Sequence, residues 1–486
     1  MILKKRLTAL LLLIILTITV AGCENVEYIT KSEAGEEESK NIYEQLDEDL
    51  PDLTPGEDGE VIEQSFVIAT NKASVFYNEE GAASSISRAV EDRTVFLKDK
   101  YGANVTVKEV SSKDLTNELK TAIESGIPYC DMICVSAKDT VKLYTAGLLG
   151  DMNKLPSFDI ESAYFDPNNA KALATNSTLY MLADPTAQVY EETYVMFFNR
   201  DLVNTAAGKD PESLVMQGKW TWDAFNETAR AAAPKVYNKS ASDILVDTFG
   251  YASYYSEGTF PLVMWNSCGL HLVDNTYKNP VSLSMTVDEI TSYASKLKSS
   301  YNSRGRFPLE GADAAKAFEE GRLAFFCNKL DYFYALRDGT TLGSNYGMLP
   351  MPKYDENQKD YHCMVGSDAR VFSIPKSVEN ADESRKMFVS AVIQATCASG
   401  RTTIKKAFLN HHIATYLNNN AETVMLQTIL DSVYFDFATV YGSNISAIRR
   451  ATTTAVSDYI EFGSGLSNSI ASAKPNFEKY CSDNFS

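Results

Sequence analysis

The 486-residue chain predicts an α/β fold of two lobes, on three observations. Short apolar runs alternate with segments of helical period, the mark of parallel βαβ units covered on both faces. The alternation runs once, pauses, and resumes. About 420 residues follow an acidic amino-terminal stretch, more than a single core comfortably holds.

Each element follows from local pattern. Residues 65–70 (Ser-Phe-Val-Ile-Ala-Thr) read as a buried strand. Ile86, Val90, Leu97 and Tyr101 then mark one helical face, with Gly102 as its stop. Residues 104–110 alternate as a strand does. Ser112 is the expected cap of a helix carrying Leu115, Leu119 and Ile123 and closed by Gly126. Residues 131–135 form a further short apolar run, followed by a helix through Val141 and Tyr144. The second series has strands at 194–198, 249–255 and 323–327. Its helices begin at Thr221, a plausible cap, and at Val287. Beyond Asn380 the pattern is mainly helical, and residues 430–437, with Tyr434, Phe437 and Tyr441 at helical spacing, read as helix. No repeat of 20 to 50 residues is visible, which excludes a solenoid.

The amino terminus carries an address. Lys4, Lys5 and Arg6 precede the apolar run 7–20, and Val20-Ala21-Gly22-Cys23 follows. A basic start, a short apolar segment and small residues before a cut site make a secretory signal, residues 1–22. Fourteen apolar-run residues are too few to span a bilayer core of roughly 30 Å. The last four residues resemble the lipobox of bacterial lipoproteins, which implies cleavage before Cys23 and a diacylglycerol (with palmitate-like acyl chains) on its sulfur. An ordinary secreted protein with a chance cysteine there is the plainer alternative.

Removing the leader takes the formal charge from −19 to −22. Such a chain repels nucleic acid, whose binding rests on Lys and Arg neutralising phosphates, and it does not adhere to anionic lipid by charge. Membrane attachment therefore falls to the lipid, at the extracellular face of the cell membrane. Residues 24–64 hold fifteen carboxylates against Lys31 and Lys40 and read as a solvated linker, domain residues 23–63. The acids at 47–49 and 52 lack the oxygen-ligand spacing of a calcium loop.

Chemistry-bearing motifs are sparse. Seven cysteines besides Cys23 are scattered and odd in number, which reads as buried thiols rather than a disulfide framework. Cys130 and Cys134 have no second pair, and His411-His412 stands alone, so neither makes a metal site. No nucleophile elbow, His-Glu-x-x-His or phosphate loop occurs, and no cofactor is expected.

The order of segments over about residues 64–460 resembles the extracellular solute-binding proteins of ABC importers, in the maltodextrin-binding-like group (family 1). Residues 147–152 (Gly-Leu-Leu-Gly-Asp-Met) resemble that family's G-L-L-x-D-L turn. Residues 179–202 are similar to its Y-x-x-P…L-x-Y-N-K-D-L crossing, and residues 220–225 (Trp-Thr-Trp-Asp-Ala-Phe) to T-W-D-E-F. Residues 317–325 resemble F-x-x-G-K-A-A-M, and residues 346–352 Y-G-x-x-P-L-P, with residues 372–376 matching the strand that follows. The resemblance implies a periplasmic-binding-protein-like fold with a hinge and an interlobe ligand cleft. One lobe would hold residues 64–185 plus 350–400, the other 186–349 plus 401–486.

It also implies where solute would bind. Sugars ask for carboxylates and amides toward hydroxyls and for aromatic rings toward C–H faces. Glu192, beside Glu191, stands where relatives place a sugar-contacting acid. Ser136 and Asp139 follow the strand at 131–135, at the edge where open α/β sheets bind ligands, though capping accounts equally for Ser136. Trp265 and Asn266 fall on the second lobe's cleft side, as do Asn328, Asp331 and Tyr332 after the strand at 323–327. Asp368 begins a return segment, and Tyr434 lies near a cleft-facing region, with core packing as its blander reading.

The expected function is a monomeric, lipid-anchored, non-enzymatic receptor that passes a small solute, a mono- or oligosaccharide, to an ABC transporter permease. Two alternatives stay open on sequence. One is a surface glycan hydrolase, for which two acids about 5 to 9.5 Å apart suffice. The other is a receptor that feeds a sensor kinase.

Overall fold

In the first lobe β1 (Gln64–Thr70) and β2 (Ala103–Glu109) run parallel, joined by the helix Ser85–Tyr101. This structure is a computed structural model. It describes residues 50–485 apart from 54–59, 77–83, 163, 166–168, 184–186, 208–209, 234–245, 255–257, 303–304, 338–341, 344, 416, 418 and 464, all within one unit, Gln45–Ser486. The leader and Cys23 lie outside the described residues.

Ser84 starts the first helix by accepting from Ser87 N, and Gly102 ends it at φ +67. A Cβ at Gly102 would lie 2.3 Å from the Ile62 carbonyl oxygen, so both the left-handed turn and the close backbone call for glycine. β3 (Met132–Ser136) joins the other side of β1, also parallel, and the helix Ala137–Thr145 leads to β4 (Leu149–Gly150).

The second lobe opens with β5 (Tyr194–Asn199) and β6 (Phe249–Ser253), continues through the hairpin β7 (Val273–Asp274) and β8 (Ser282–Leu283), and ends with β9 (Leu323–Lys329) and β10 (Tyr346–Leu349). Its four-stranded sheet has the order β10-β5-β9-β6, with β6 parallel to β9 and β5 antiparallel to both its neighbours. β5, β6 and β9 are buried along their whole length, which is why they read as unbroken apolar runs. Trp222 and Phe225 meet edge to face at 5.3 Å, and Phe225 meets Tyr251 and Phe325 at 5.3 and 5.2 Å. These rings fill the space between the helix Trp222–Ala232 and the sheet.

The chain then turns back. Lys353 N donates to Trp220 O (3.1 Å), Trp222 N donates to Lys353 O (2.9 Å), and the Trp220 indole donates to Pro350 O (3.0 Å). Through β11 (Cys363–Met364) the chain reaches β12 (Arg370–Pro375), which inserts into the first sheet antiparallel to β3 and β4, giving the order β2-β1-β3-β12-β4. β11 pairs in parallel with β13 (Val433–Tyr434).

The remaining helices cover both lobes. Glu383–Ser399 continues through a π-helical turn, Gly400–Ile404, into Lys405–Thr415, whose Ile404 and Ala407 side pack on Val90 of the first helix. Thr453–Phe462 and Leu466–Asn484 pack on Val287–Tyr301 in the second lobe. The two lobes also touch where Tyr144 OH donates to Asn484 O (3.0 Å) and Asn444 Nδ2 donates to Lys138 O (2.6 Å). Among the described residues no helix is long and apolar enough to cross a membrane.

Some local expectations change. Ser111, not Ser112, caps the helix Ser112–Ser125, leaving the Ser112 hydroxyl free to bond elsewhere. Ile123 is exposed there and Ala122 is buried in its place, a rotation of one residue on the helical wheel. Tyr434 belongs to strand β13, because its backbone is taken by the return segment, and helix resumes only at Phe437–Gly442. The last part of the acidic stretch contacts the body: Leu50 is buried, and Tyr101 OH donates to Pro51 O at 3.0 Å. His411 and His412 lie in the last turns of Lys405–Thr415, with His412 buried against Phe408.

Two measurements test this packing. Trp220→Ala is expected to cost about 3–5 kcal/mol in denaturant unfolding, since it removes a buried ring and the indole bond to Pro350. His412 gives a pH signature: burial pushes its imidazole down to about 4, while an unfolded histidine titrates near ~6.5. The unfolded chain therefore binds more protons between those values, and stability falls as pH drops through that window. Replacing His412 by Gln should make the loss of melting temperature between pH 7 and pH 5 smaller than in the unsubstituted protein; an equal loss would contradict a buried neutral imidazole.

Candidate functional site

Both sheets present the same kind of edge to each other. In the first lobe β1 and β3 end at Thr70 and Ser136, and the antiparallel β12 begins there, with Arg370 opposite Ser136. In the second, β6 and β9 end at Ser253 and Lys329, and β5 begins there, just after Glu191, Glu192 and Thr193. The return segment 366–369 stitches these edges together. Gly366 N donates to Glu192 O (2.9 Å), Lys138 N to Ser367 O (3.0 Å) and Ala137 N to Ala369 O (2.8 Å). Carboxyl ends of strands are where open α/β sheets leave a crevice with unpaired backbone and polar side chains.

Charges of both signs converge here. Lys329 Nζ lies 2.5 Å from Glu192 Oε2 and 3.8 Å from Asp368 Oδ2, and Asp368 also pairs with Lys138. Gly366 permits this approach, since a Cβ there would sit 3.2 Å from Lys329 Cε. Burial raises the Glu191 carboxyl, with Asp331 and Glu192 adding to the effect against Lys72 and a bond from Tyr334. Burial likewise raises Asp331, helped by Glu192 and opposed by Lys329. On Glu191 and Asp331, burial and neighbouring carboxylates thus act in the same direction.

The first lobe's wall is a chain of hydrogen bonds. Arg370 Nη2 donates to Asn71 Oδ1 (2.7 Å), Asn71 Nδ2 to Ser112 Oγ (3.0 Å), and Ser112 Oγ to Asp139 Oδ2 (2.8 Å). Lys142 Nζ completes it on Asp139 Oδ1 at 2.6 Å. Burial alone would raise Asp139, but the bonds from Lys142, Ser112 and Ser136 hold it below the usual carboxylate range. Each member fixes the next, so the wall is preorganised.

Of the residues expected from sequence, the structure brings Ser136, Asp139, Glu192, Asp331 and Asp368 to this edge. Ser136 caps the helix Ala137–Thr145 by accepting from Asp139 N. Asn328 is buried at the end of β9 with its Oδ1 on Lys329 N. Tyr332 turns into the lobe, donating to Glu319 Oε1 (2.7 Å) and packing on Phe197 and Phe326. Trp265 is fully buried against Tyr293, and Asn266 Nδ2 bonds Leu262 O (3.0 Å) and Met364 Sδ (3.1 Å). Tyr434 pairs with His271 and meets the His362 ring at 5.7 Å, in a separate polar group. The last three therefore stand apart from the charged cluster.

Sequence reasoning missed Lys329, Arg370, Lys138, Asn71 and Ser112. Lys329 and Arg370 carried a usable signal: each is a charge at the cleft end of an otherwise apolar strand. Tyr254, following β6 and 39% exposed, was also passed over. Among the described residues no group of three His, Cys, Asp or Glu could hold a metal. The described cysteines are buried, and burial pushes the Cys268, Cys363 and Cys481 thiols up to about 12, which makes those three poor nucleophiles.

Comparison with known proteins now bears on this geometry. No curated protein matches the chain by sequence. Solved structures of several binding proteins share its fold. The sugar-binding protein MalE from Xanthomonas citri is 13% identical with a TM-score of 0.54, covering 86% of this chain and 98% of its own. A cyclic alpha-maltosyl-1,6-maltose binding protein from Arthrobacter globiformis is 10% identical, TM-score 0.53, covering 87% and 100%. A family 1 extracellular solute-binding protein from Bifidobacterium longum subsp. infantis is 12% identical, TM-score 0.52, covering 86% and 99%. The family model "Bacterial extracellular solute-binding protein" matches residues 78–392. This is a family of binding proteins, not enzymes, which sets the hydrolase alternative aside. The chain belongs to the bacterial extracellular solute-binding protein family.

Proposed function

We propose that the chain is a lipid-anchored receptor that captures a mono- or oligosaccharide outside the cell and delivers it to an ABC transporter permease. The observation that carries this reading is the meeting of two carboxyl-end strand edges across a return segment, lined by Glu192, Asp331, Asp368 and Asp139 with Lys329 and Arg370 between them. Carboxylates, amides and fixed cations at that density suit a ligand rich in hydroxyls, and the sugar-binding names of the structural relatives support the same class. Tyr254 would offer a ring to a sugar face. Residues 64–185 with 350–400, and 186–349 with 401–486, would move as the two lobes about the crossings near Glu192 and Gly366. A ligand touching both lobes favours the closed form by its differential affinity. The permease would read that closed shape. Val20-Ala21-Gly22-Cys23 supports the lipid anchor, and the acidic stretch after it would keep the receptor within reach of the membrane.

A sugar panel followed by thermal shift and solution scattering tests the reading. A bound sugar at 100 times its dissociation constant should add about 2.7 kcal/mol of stability and compact the particle. Glu192→Gln should weaken the same sugar about tenfold or more, since a charge-assisted bond is lost. No shift and no compaction with any sugar would refute the proposal. For the anchor, cells fed labelled palmitate should label the full-length protein and not the Cys23→Ala variant; equal labelling of both would place the lipid elsewhere.

A further inference from the structure

Asn176 and Ser177 are neighbours in the chain, yet their backbone carbonyls are held by different lobes. The Asn176 carbonyl accepts from Lys278 N (2.9 Å), in the loop of the second lobe's β7–β8 hairpin. The Ser177 carbonyl accepts from Asn153 Nδ2 (2.7 Å), just after β4 of the first lobe. Thr175 and Thr178 close the tight turn around them with two backbone bonds of 3.0 Å each. Beyond the turn the chain stays with the first sheet: Leu179 N donates to Asp151 Oδ1 (3.0 Å), and Leu182 pairs with Phe372 of β12. Before the turn it is fastened to the second lobe and to the segment 433–441 that leads into that lobe's last helices. Asn169 donates from Nδ2 to Val433 O (2.8 Å) and accepts at Oδ1 from Phe435 N (3.1 Å). Tyr441 OH donates to Leu173 O (2.9 Å), and Asn275 Nδ2 donates to Ala172 O and Ala174 O (2.9 and 3.2 Å). Among the described residues three that are not glycine have a left-handed backbone: Ser157, Asn176 and Lys278, at φ +55, +58 and +71. Two of these three meet in the bond from Lys278 N to Asn176 O. Such conformations persist where the surrounding structure over-determines them.

We infer that residues 169–176 are a strap: the chain leaves the first lobe, is fastened on the second, and restrains the lobes from swinging apart. The bonds of Asn169 and Tyr441 are buried, so breaking them would strand polar groups away from water. The bonds from Tyr144 to Asn484 O and from Asn444 to Lys138 O are exposed, so water replaces them at little cost. The strap and the joint between Glu192 and Gly366 are thus two fastened places between the lobes. Bodies held at two points turn only about the line through them, so lobe motion is a rotation about the line from Gly366 to Asn176. The strap travels with the second lobe, although residues 169–176 fall within the first lobe's share of the chain, and the turn at Asn176 and Ser177 takes up the bend. By limiting opening it raises the fraction of molecules able to meet a ligand with both lobes, and apparent affinity rises with that fraction. The inference needs only the two-lobed fold and stands whether or not the ligand is a sugar.

Spin-label distance measurements on the full chain without added solute test it. Labels go on Ile127→Cys in the first lobe and Phe462→Cys in the second, both exposed positions, with protein lacking these cysteines as background. A second pair, Met216→Cys with Phe462→Cys, reports spacing inside the second lobe. Two changes loosen the strap. Asn275→Ala removes the bonds from the hairpin to Ala172 and Ala174, and a pair of glycines inserted between Asn176 and Ser177 adds slack while sparing every bonded side chain. The strapped protein should give one narrow interlobe distance. Each loosened variant should shift to longer and broader interlobe distances, with the spacing inside the second lobe unchanged. An interlobe distribution that stays narrow and unmoved, or moves to shorter distances, would overturn the strap, as would a distribution already broad in the strapped protein. If Asn275→Ala disturbs the spacing inside the second lobe, the glycine insertion decides.

Discussion

Everything else in the molecule hangs on three consecutive backbone carbonyls, those of Glu191, Glu192 and Thr193. They accept from Asp331 N (3.1 Å), Gly366 N (2.9 Å) and Leu330 N (2.8 Å), so the first crossing, the end of β9 and the return segment meet at one joint. Buried backbone groups must find partners, and here those partners belong to segments more than a hundred residues apart. Lobe separation, the facing of the two strand edges and the collection of charges follow from that requirement.

The joint also explains the cleft's electrostatics. A crossing segment cannot avoid placing side chains between the lobes, and Glu192 is placed there beside Lys329. Buried charges are tolerated only when paired, which accounts for Lys329 between Glu192 and Asp368 and for the bonded wall from Arg370 to Lys142. The result balances opposite charges locally within a strongly acidic chain. Such a surface suits a neutral polar solute, because neither sign of charge is left in clear excess around Lys329.

Much of the fold was legible in the chain because its strands are buried on both faces. Runs such as residues 323–327 and 194–198 announce themselves by being apolar throughout, and the helix starts at Ser84, Thr221 and Thr286 follow ordinary capping chemistry. The site was legible in part. Glu192, Asp139, Asp331 and Asp368 came from strand ends and family spacing, and all four reach the same edge. Trp265, Tyr332 and Tyr434 did not join them, because an aromatic residue at a cleft-side position can equally turn inward, and here the lobe's core and the polar group around His271 took those rings.

The chain by itself determined its longer strands, helix starts such as the one at Thr221, and its acid excess, since these depend on residue type and neighbours within a few positions. Only the tertiary structure decided which charges face one another. Lys329 meets Asp368 and Arg370 meets Asn71 across separations of 39 and 299 residues. Those distances close only when β12 threads back between β3 and β4, a pairing set by long-range packing and backbone hydrogen bonding that no local pattern encodes.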